Sequence, residues 1–186
     1  GQYLHDSTHA SLYFSVLHLG LSNYMMGFTD YSINLQLDSS NLAASSVTVT
    51  INSASIRTDY RGDYKSSHPE SAFSSWDQEL AMSDNFFNAG KYPEIRFQST
   101  AVTVQTPSAI QITGDLTLLG QTHPIILSGR IVGSTEQHPL VKRGAVGFSM
   151  SGTFKRSTFG MNHLLNPAFV GDEVTVMFEG EMHQSP

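Results

Sequence analysis

Apolar and polar residues alternate with period two along most of this chain. Phe14, Val16 and His18 share one face of such a run, as do Ile33, Leu35 and Leu37. Val47, Val49 and Ile51 follow, then Leu116 and Leu118, then Val174, Val176 and Phe178. Side chains of a strand point alternately to opposite faces, so each run predicts a strand with one apolar and one wet face. The predicted strands cover 8–18, 28–38, 46–56, 94–104, 109–119, 124–132, 144–155 and 173–182. Such a chain buries its apolar faces by closing into a barrel or stacking as a sandwich. A small closed barrel has room for one elongated ligand. An all-β container is therefore the first expectation.

Between the strands, Asp38-Ser39-Ser40-Asn41 reads as a turn and Gly120-Gln121-Thr122 as the tight turn of a hairpin. Helical signals are confined to the 71–87 region. Ser75 stands three residues before Gln78, a capping-box spacing, and Trp76 and Leu80 fall on one side of the turn that follows. A second short helical turn is expected over 83–87. The polar stretch from Thr58 to Ser75 reads as a loop, longer than a compact domain normally carries without a reason.

The predicted inward positions after Pro93 run Ile95, Phe97, Ser99, Ala101, Thr103, so bulk gives way to small side chains. Gly114 and Gly129 fall at comparable places in their strands. Two readings stay open: a cavity, or a tapering barrel end with glycines at bulges.

At 186 residues, with 39% hydrophobic and 14% charged residues, the composition is that of a single globular domain over 1–186. The net charge of −6 argues against nucleic acid or an anionic membrane surface as partner, since both call for a basic face. No cysteine is present, which removes disulfide and thiol chemistry. No apolar run reaches the length of a membrane span. The chain opens on Gly1-Gln2-Tyr3, as a mature secreted protein or a module of a larger secreted protein would.

Candidate chemistry is sparse. Eight histidines raise the question of a metal, but none stand at zinc-site spacing, and they read as surface or loop residues. Gly147-Phe148-Ser149-Met150-Ser151-Gly152 lacks the second glycine of a nucleophile elbow and sits mid-strand, with Phe148 and Met150 inward. Glu179 and Glu181 fall on a wet face, not across a cleft. An acyl or glycosyl hydrolase has no support, and the chain reads as a non-enzyme. His18, inward in an apolar strand, either satisfies a local hydrogen bond or anchors a ligand head-group. Arg156, at a strand end, either snorkels to solvent or caps a cavity mouth.

Several segments resemble the YceI-like polyisoprenoid-binding family. Gly114-Asp115-Leu116-Thr117-Leu118-Leu119-Gly120-Gln121-Thr122 is similar to its G-D-L-T-x-x-G-x-T, and Arg156-Ser157-Thr158-Phe159-Gly160 to its R-S-x-F-G. Phe14-x-Val16-x-His18 matches the opening F-x-V-x-H, and Ser55-Ile56-Arg57-Thr58 the S-I-x-T. Asp77-x-x-Leu80, Phe86-Phe87-Asn88 and Tyr92-Pro93-x-Ile95-x-Phe97-x-Ser99-Thr100 follow the family's D-x-x-L, F-F-D and Y-P-x-I-x-F-x-S-T. The order is the family's, and the matches span nearly the whole chain. Three departures are visible. Gly27-Phe28 lacks the usual spacer, Asn88 replaces an aspartate, and the 59–75 segment is longer than the family's, which would lengthen a lid at one barrel mouth.

The resemblance implies an extended eight-stranded antiparallel lipocalin-like barrel, exported to the periplasm or secreted, often as a homodimer. The implied ligand is a polyprenyl lipid or the tail of a ubiquinone-type quinone, with no cofactor required. Phe14, Val16, Ile33, Phe97, Leu116, Leu118, Phe148, Val176 and Phe178 would line the tunnel. Met25, Met82, Met150, Met161, Phe28 and Phe159 are apt for an irregular chain, because thioethers and aromatics adapt to one. Trp76, Leu80, Phe86 and Phe87 would cover one end, with His18 and Arg156 near the head-group or mouth. The competing reading is an interaction module with a fully packed core.

Overall fold

The period-two alternation is realised as antiparallel strands in the computed structural model, which describes residues 1–165 and 169–186. The strands are β1 (Gln2–His18), β2 (Ser22–Phe28), β3 (Tyr31–Gln36), β4 (Ser46–Asn52) and β5 (Ile56–Thr58). They continue as β6 (Glu94–Val104), β7 (Ala109–Leu118), β8 (Gln121–Thr135), β9 (Ala145–Lys155) and β10 (Val170–Gln184). Neighbours run β10-β9-β8-β7-β6-β4-β3-β1, and β10 pairs with β1, so eight strands close into a barrel. The two remaining strands, β2 and β5, form a flap on one half of β1.

The length of β1 makes this arrangement work. Its first residues, Gln2–Leu4, pair with β3, while Leu12–His18 pair with β2. Its other edge pairs with β10 from Tyr3↔Gln184 to His18↔Val170. One strand thus closes the barrel and carries the flap.

The expected strand over 28–38 is two strands. Phe28 ends β2, Tyr31 begins β3, and Thr29-Asp30 turn the corner between them. The corner is held by Ser55, whose carbonyl accepts from Thr29 N at 3.1 Å and whose Oγ accepts from Asp30 N at 3.1 Å. Phe28 and Ile33 both face inward although they are an odd number of residues apart, which an unbroken strand forbids. The hairpin turn is Leu119-Gly120, both at positive φ (51° and 72°), and Gln121 and Thr122 already belong to β8. Two left-handed residues match the twist of the flanking strands, and glycine takes that conformation without strain.

The inward series of β6 also breaks. A register shift between Ser99 and Ala101 moves the inward phase onto Val102, so Ala101 and Thr103 face out. An extra residue in one strand re-aims everything after it. Gly114 and Gly129 do not create space. A Cβ at Gly114 would lie 2.4 Å from the Phe97 ring, and one at Gly129 would lie 2.0 Å from the Ser149 carbonyl oxygen. They are places of close approach.

Helix α2 (Trp76–Met82) starts as expected, with Ser75 Oγ accepting from Gln78 N at 3.1 Å. The expected second helical turn over 83–87 is a hydrogen-bonded turn instead, with Phe86 N and Asn88 N both donating to the Ser83 carbonyl. A short helix, α1 (Tyr64–Ser67), lies in the stretch read as loop, capped by Asp63. Among the described residues, no helix is long and apolar enough to cross a membrane.

The glycine contacts make a testable pair. Gly129→Ala forces a methyl group against backbone and is expected to lower stability by roughly 1–3 kcal/mol. Gly133→Ala, with open space around the added carbon, should stay within about 0.5 kcal/mol of the parent. Urea denaturation of the two variants reads the difference directly, and equal midpoints would contradict it.

Candidate functional site

Closing the barrel turns the alternate residues of every wall strand toward one axis. They do not fill the interior, and a cavity of about 690 Å³ remains. Apolar side chains pack in two clusters around it. One includes Phe14, Phe97, Leu116, Leu118 and Val174, and the other Ile33, Phe148, Met150 and Met182. Val47, Val49, Ile112 and Leu127 touch both, so they form the waist between them.

One end of the barrel is covered by α2 and the segment before it. Asp77 Oδ1 accepts from Thr58 N at 3.0 Å and from Thr58 Oγ1, which ties α2 to β5. The Tyr64 hydroxyl donates to Glu79, and Lys65 Nζ donates to the Ser71 carbonyl at 2.6 Å, which ties α1 to the loop and to α2. Aromatic rings continue the cover. Tyr64 stacks on His68 with centroids 4.7 Å apart, Trp76 meets Phe86 edge-on at 5.6 Å, and Phe86 meets His163 at 5.3 Å. Tyr60, His68 and Trp76 all reach the cavity, so the long 59–75 segment is a lid over this end.

Most residues singled out from sequence meet at this cavity. Phe14, Val16, Phe28, Ile33, Phe97, Leu116, Leu118, Phe148, Met150, Val176 and Phe178 line its walls. Trp76, Leu80, Phe86 and Phe87 line it from the helix end, together with Met161, His18 and Arg156. Three do not. Met25 lies on the outward phase of β2, between Tyr24 and Met26, and is 44% exposed. Met82, in the last turn of α2, is exposed at 42%. Phe159 is buried at 1% but packs between the His123 and Phe154 rings, in the wall and not at the cavity.

The two polar positions differ from each other. His18 is exposed, because β1 ends there and the ring sits at the cavity mouth beside Tyr24, with centroids 6.3 Å apart. Arg156 is 3% exposed and neither snorkels nor stands free at a mouth. Its guanidinium donates to four carbonyls: Gly171 at 2.9 Å, Met161 at 3.0 Å, His163 at 2.8 Å and Val170 at 3.2 Å. Asp172 sits beside it and accepts from Ser157 N and Oγ at 2.9 and 2.7 Å. Burial pushes the guanidinium below its usual pKa, and the nearby Asp172 charge works against that shift. Arg156 therefore pins the segment after β9 to the start of β10.

Several lining residues escaped the sequence reading, notably Tyr24, Met26, Val102, Ile125 and Leu127. Tyr24 and Met26 are in phase with Phe28 on β2, and that period-two signal marks both. Tyr24 has a further feature. Its hydroxyl is buried, lies on a residue that lines the cavity, and makes no hydrogen bond among the described residues. Buried hydroxyls are normally partnered, and among the described residues this one has no partner at the cavity wall. Chemically, the site is a long apolar bore with a tyrosine and an imidazole at one mouth.

The YceI-like domain family model matches residues 3–182. Protein YceI of Escherichia coli O157:H7 is 33% identical over 175 residues, covering 94% of this chain and 83% of that protein. Among solved structures, BcnA of Burkholderia cenocepacia superposes with a TM-score of 0.76 at 18% identity, covering 97% of this chain and 99% of that one. A polyisoprenoid binding domain from Saccharophagus degradans superposes with a TM-score of 0.64 at 13% identity, covering 100% and 98%. On the extent of the family match and the identity to the Escherichia coli protein, this chain belongs to the YceI-like domain family.

Proposed function

We propose that the barrel binds a long polyisoprenoid lipid, without catalysis, for carriage or storage, and that the ligand is the prenyl tail of a ubiquinone-type quinone. The observation that carries this reading is the cavity of about 690 Å³ with its apolar lining. A packed-core interaction module would have no such space. The polyisoprenoid binding domain that shares the fold supports the same reading.

The size and energetics are compatible with a prenyl tail. At roughly 30 Å³ per methylene-sized group, close to the liquid volume of a water, the cavity takes on the order of twenty carbons. That is about four isoprene units. Burying them contributes roughly 0.8 kcal/mol each, about 16 kcal/mol in all. Association costs roughly 4–15 kcal/mol, so across most of that range the tail alone supports binding. A charged head-group contact is unnecessary, which suits a site whose one buried cation is already committed to four carbonyls. The quinone ring would sit at the helix-end mouth, with Tyr24 donating to a ring carbonyl and His18 beside it.

Mass spectrometry of an organic-solvent extract of the natively purified protein tests the ligand class, and a stoichiometric prenyl lipid is expected. Val49→Phe with Val176→Phe places two rings in the bore and should abolish lipid uptake while the barrel stays folded by circular dichroism. Val132→Phe, on the outer wall at 53% exposure, should leave uptake unchanged. Full lipid loading in the folded double variant would sink the assignment of the bore.

The head-group placement has its own test. Tyr24→Phe removes one hydrogen bond, worth about 0.5–1.5 kcal/mol, so the Kd for a prenylated quinone should rise about two- to twelvefold. Binding of the matching prenyl hydrocarbon should not change. Equal effects on both ligands would move the head-group elsewhere.

A further inference from the structure

On the outer wall, away from the lipid bore, five ligand-type side chains from three segments converge. We propose that His138, Glu181 and His183 form a binding site for one divalent first-row cation such as Zn²⁺, flanked by Asp6 and His9.

The local backbone explains the convergence. Met182 is buried at 1% and faces inward, so Glu181 and His183 on either side of it project outward from β10. Opposite them β1 is irregular: His5 pairs with Met182 and Ala10 with Gly180, so Asp6 to His9 stand against Glu181 alone. Such a bulge re-aims side chains that a regular strand would send to alternate faces. It is stabilised from within, because Asp6 Oδ1 accepts from Thr8 N at 2.9 Å and from Thr8 Oγ1 at 2.7 Å. Asp6 and His9 are thereby folded over Glu181. The third segment is the β8–β9 connection, which brings His138 to the same place. It is closed by His138 N donating to the Arg143 carbonyl at 2.7 Å and Lys142 N to the His138 carbonyl at 2.9 Å.

The distances suit a metal. His138 Nε2 and His183 Nε2 lie 3.6 and 3.4 Å from Glu181 Oε2, and the ligand atoms of the three residues are all within 4.8 Å of one another. Ligands about 2.0–2.1 Å from a tetrahedral ion are roughly 3.3–3.5 Å apart. Closing the set therefore takes small side-chain movements. Two imidazoles and a carboxylate are a borderline donor set that favours Zn²⁺ and its first-row neighbours over Ca²⁺ or Mg²⁺. Water completes the shell. Asp6 Oδ2, 3.9 Å from His183 Nε2 and 2.8 Å from His9 Nδ1, adds negative charge beside the ion. His138 Nδ1 accepts from Leu140 N and Val141 N at 3.4 Å each. A metal on Nε2 places the ring proton on Nδ1, so those two long contacts are given up. The bound ion would clamp the β8–β9 connection to the closing seam between β1 and β10.

Titration of the intact chain with ZnCl₂, followed by calorimetry and native mass spectrometry, tests the proposal. One Zn²⁺ per chain and a zinc-dependent rise in Tm are expected, since a ligand that binds only the folded state stabilises it. The Co²⁺ form should show the visible absorption of a four-coordinate site. Glu181→Gln and His183→Ala should each weaken binding at least tenfold, and His138→Ala in the connecting loop tests the same site where the strand changes impair folding. His123→Ala, remote from the cluster, should bind as the parent does. Absence of stoichiometric Zn²⁺ binding, or unchanged affinity in folded His138→Ala, would overturn the proposal. Lipid content does not enter any of these readouts.

Discussion

The β1–β10 ladder is the interaction on which the rest of the molecule depends. Without it, eight strands make an open sheet with two unpaired edges, and an apolar face that must find cover elsewhere. With it, every wall strand is paired on both sides, and two apolar clusters pack around a space that they do not fill. The ladder and the clusters hold the walls, and the interior between them stays partly empty. That separation between what holds the barrel and what fills it is the physical basis of a container.

Closure also divides the labour between the ends. At the helix end, Asp77 ties α2 to β5 of the flap and Tyr64 ties α1 to α2, and the Trp76, Phe86 and Phe87 rings form the inner surface of this cover. Arg156 does comparable work beside it, gathering four carbonyls, one of them that of His163, whose ring meets Phe86. A buried charge is tolerated when its donors are satisfied, and here the charge is structural. Under the proposed function, the polar group left over for recognition is the Tyr24 hydroxyl, on the flap that β1 carries beside the closed wall.

The seam carries a second consequence. A perfectly regular β1–β10 ladder would alternate its side chains in and out along both strands. The bulge at Asp6 to His9 breaks the alternation where β10 presents Glu181 and His183. Histidines and carboxylates that belong to distant parts of the chain are thereby gathered on the outer wall, while Met182 between them continues the inner wall undisturbed.

Fold class and most of the cavity wall were legible from the residues themselves. Strand periodicity is a local property, and it reports which of two faces a side chain joins. Phe14, Phe97, Leu116, Phe148 and Val176 were placed correctly for that reason, and the ordered motifs added the family. What periodicity cannot carry is phase across a break. The corner at Thr29-Asp30 and the irregularity after Ser99 each shift the phase, so one expected strand is two and Ala101 was placed on the wrong side. Nor does alternation say where a strand ends: the inward phase of β1 runs out at His18, which is exposed. The partners of Arg156, 5 to 15 positions away, are set by how the segment after β9 folds onto the start of β10. The meeting of His138 with Glu181 is set by how the β8–β9 connection lies against β10, and no local spacing encodes either. Only the tertiary structure decided them.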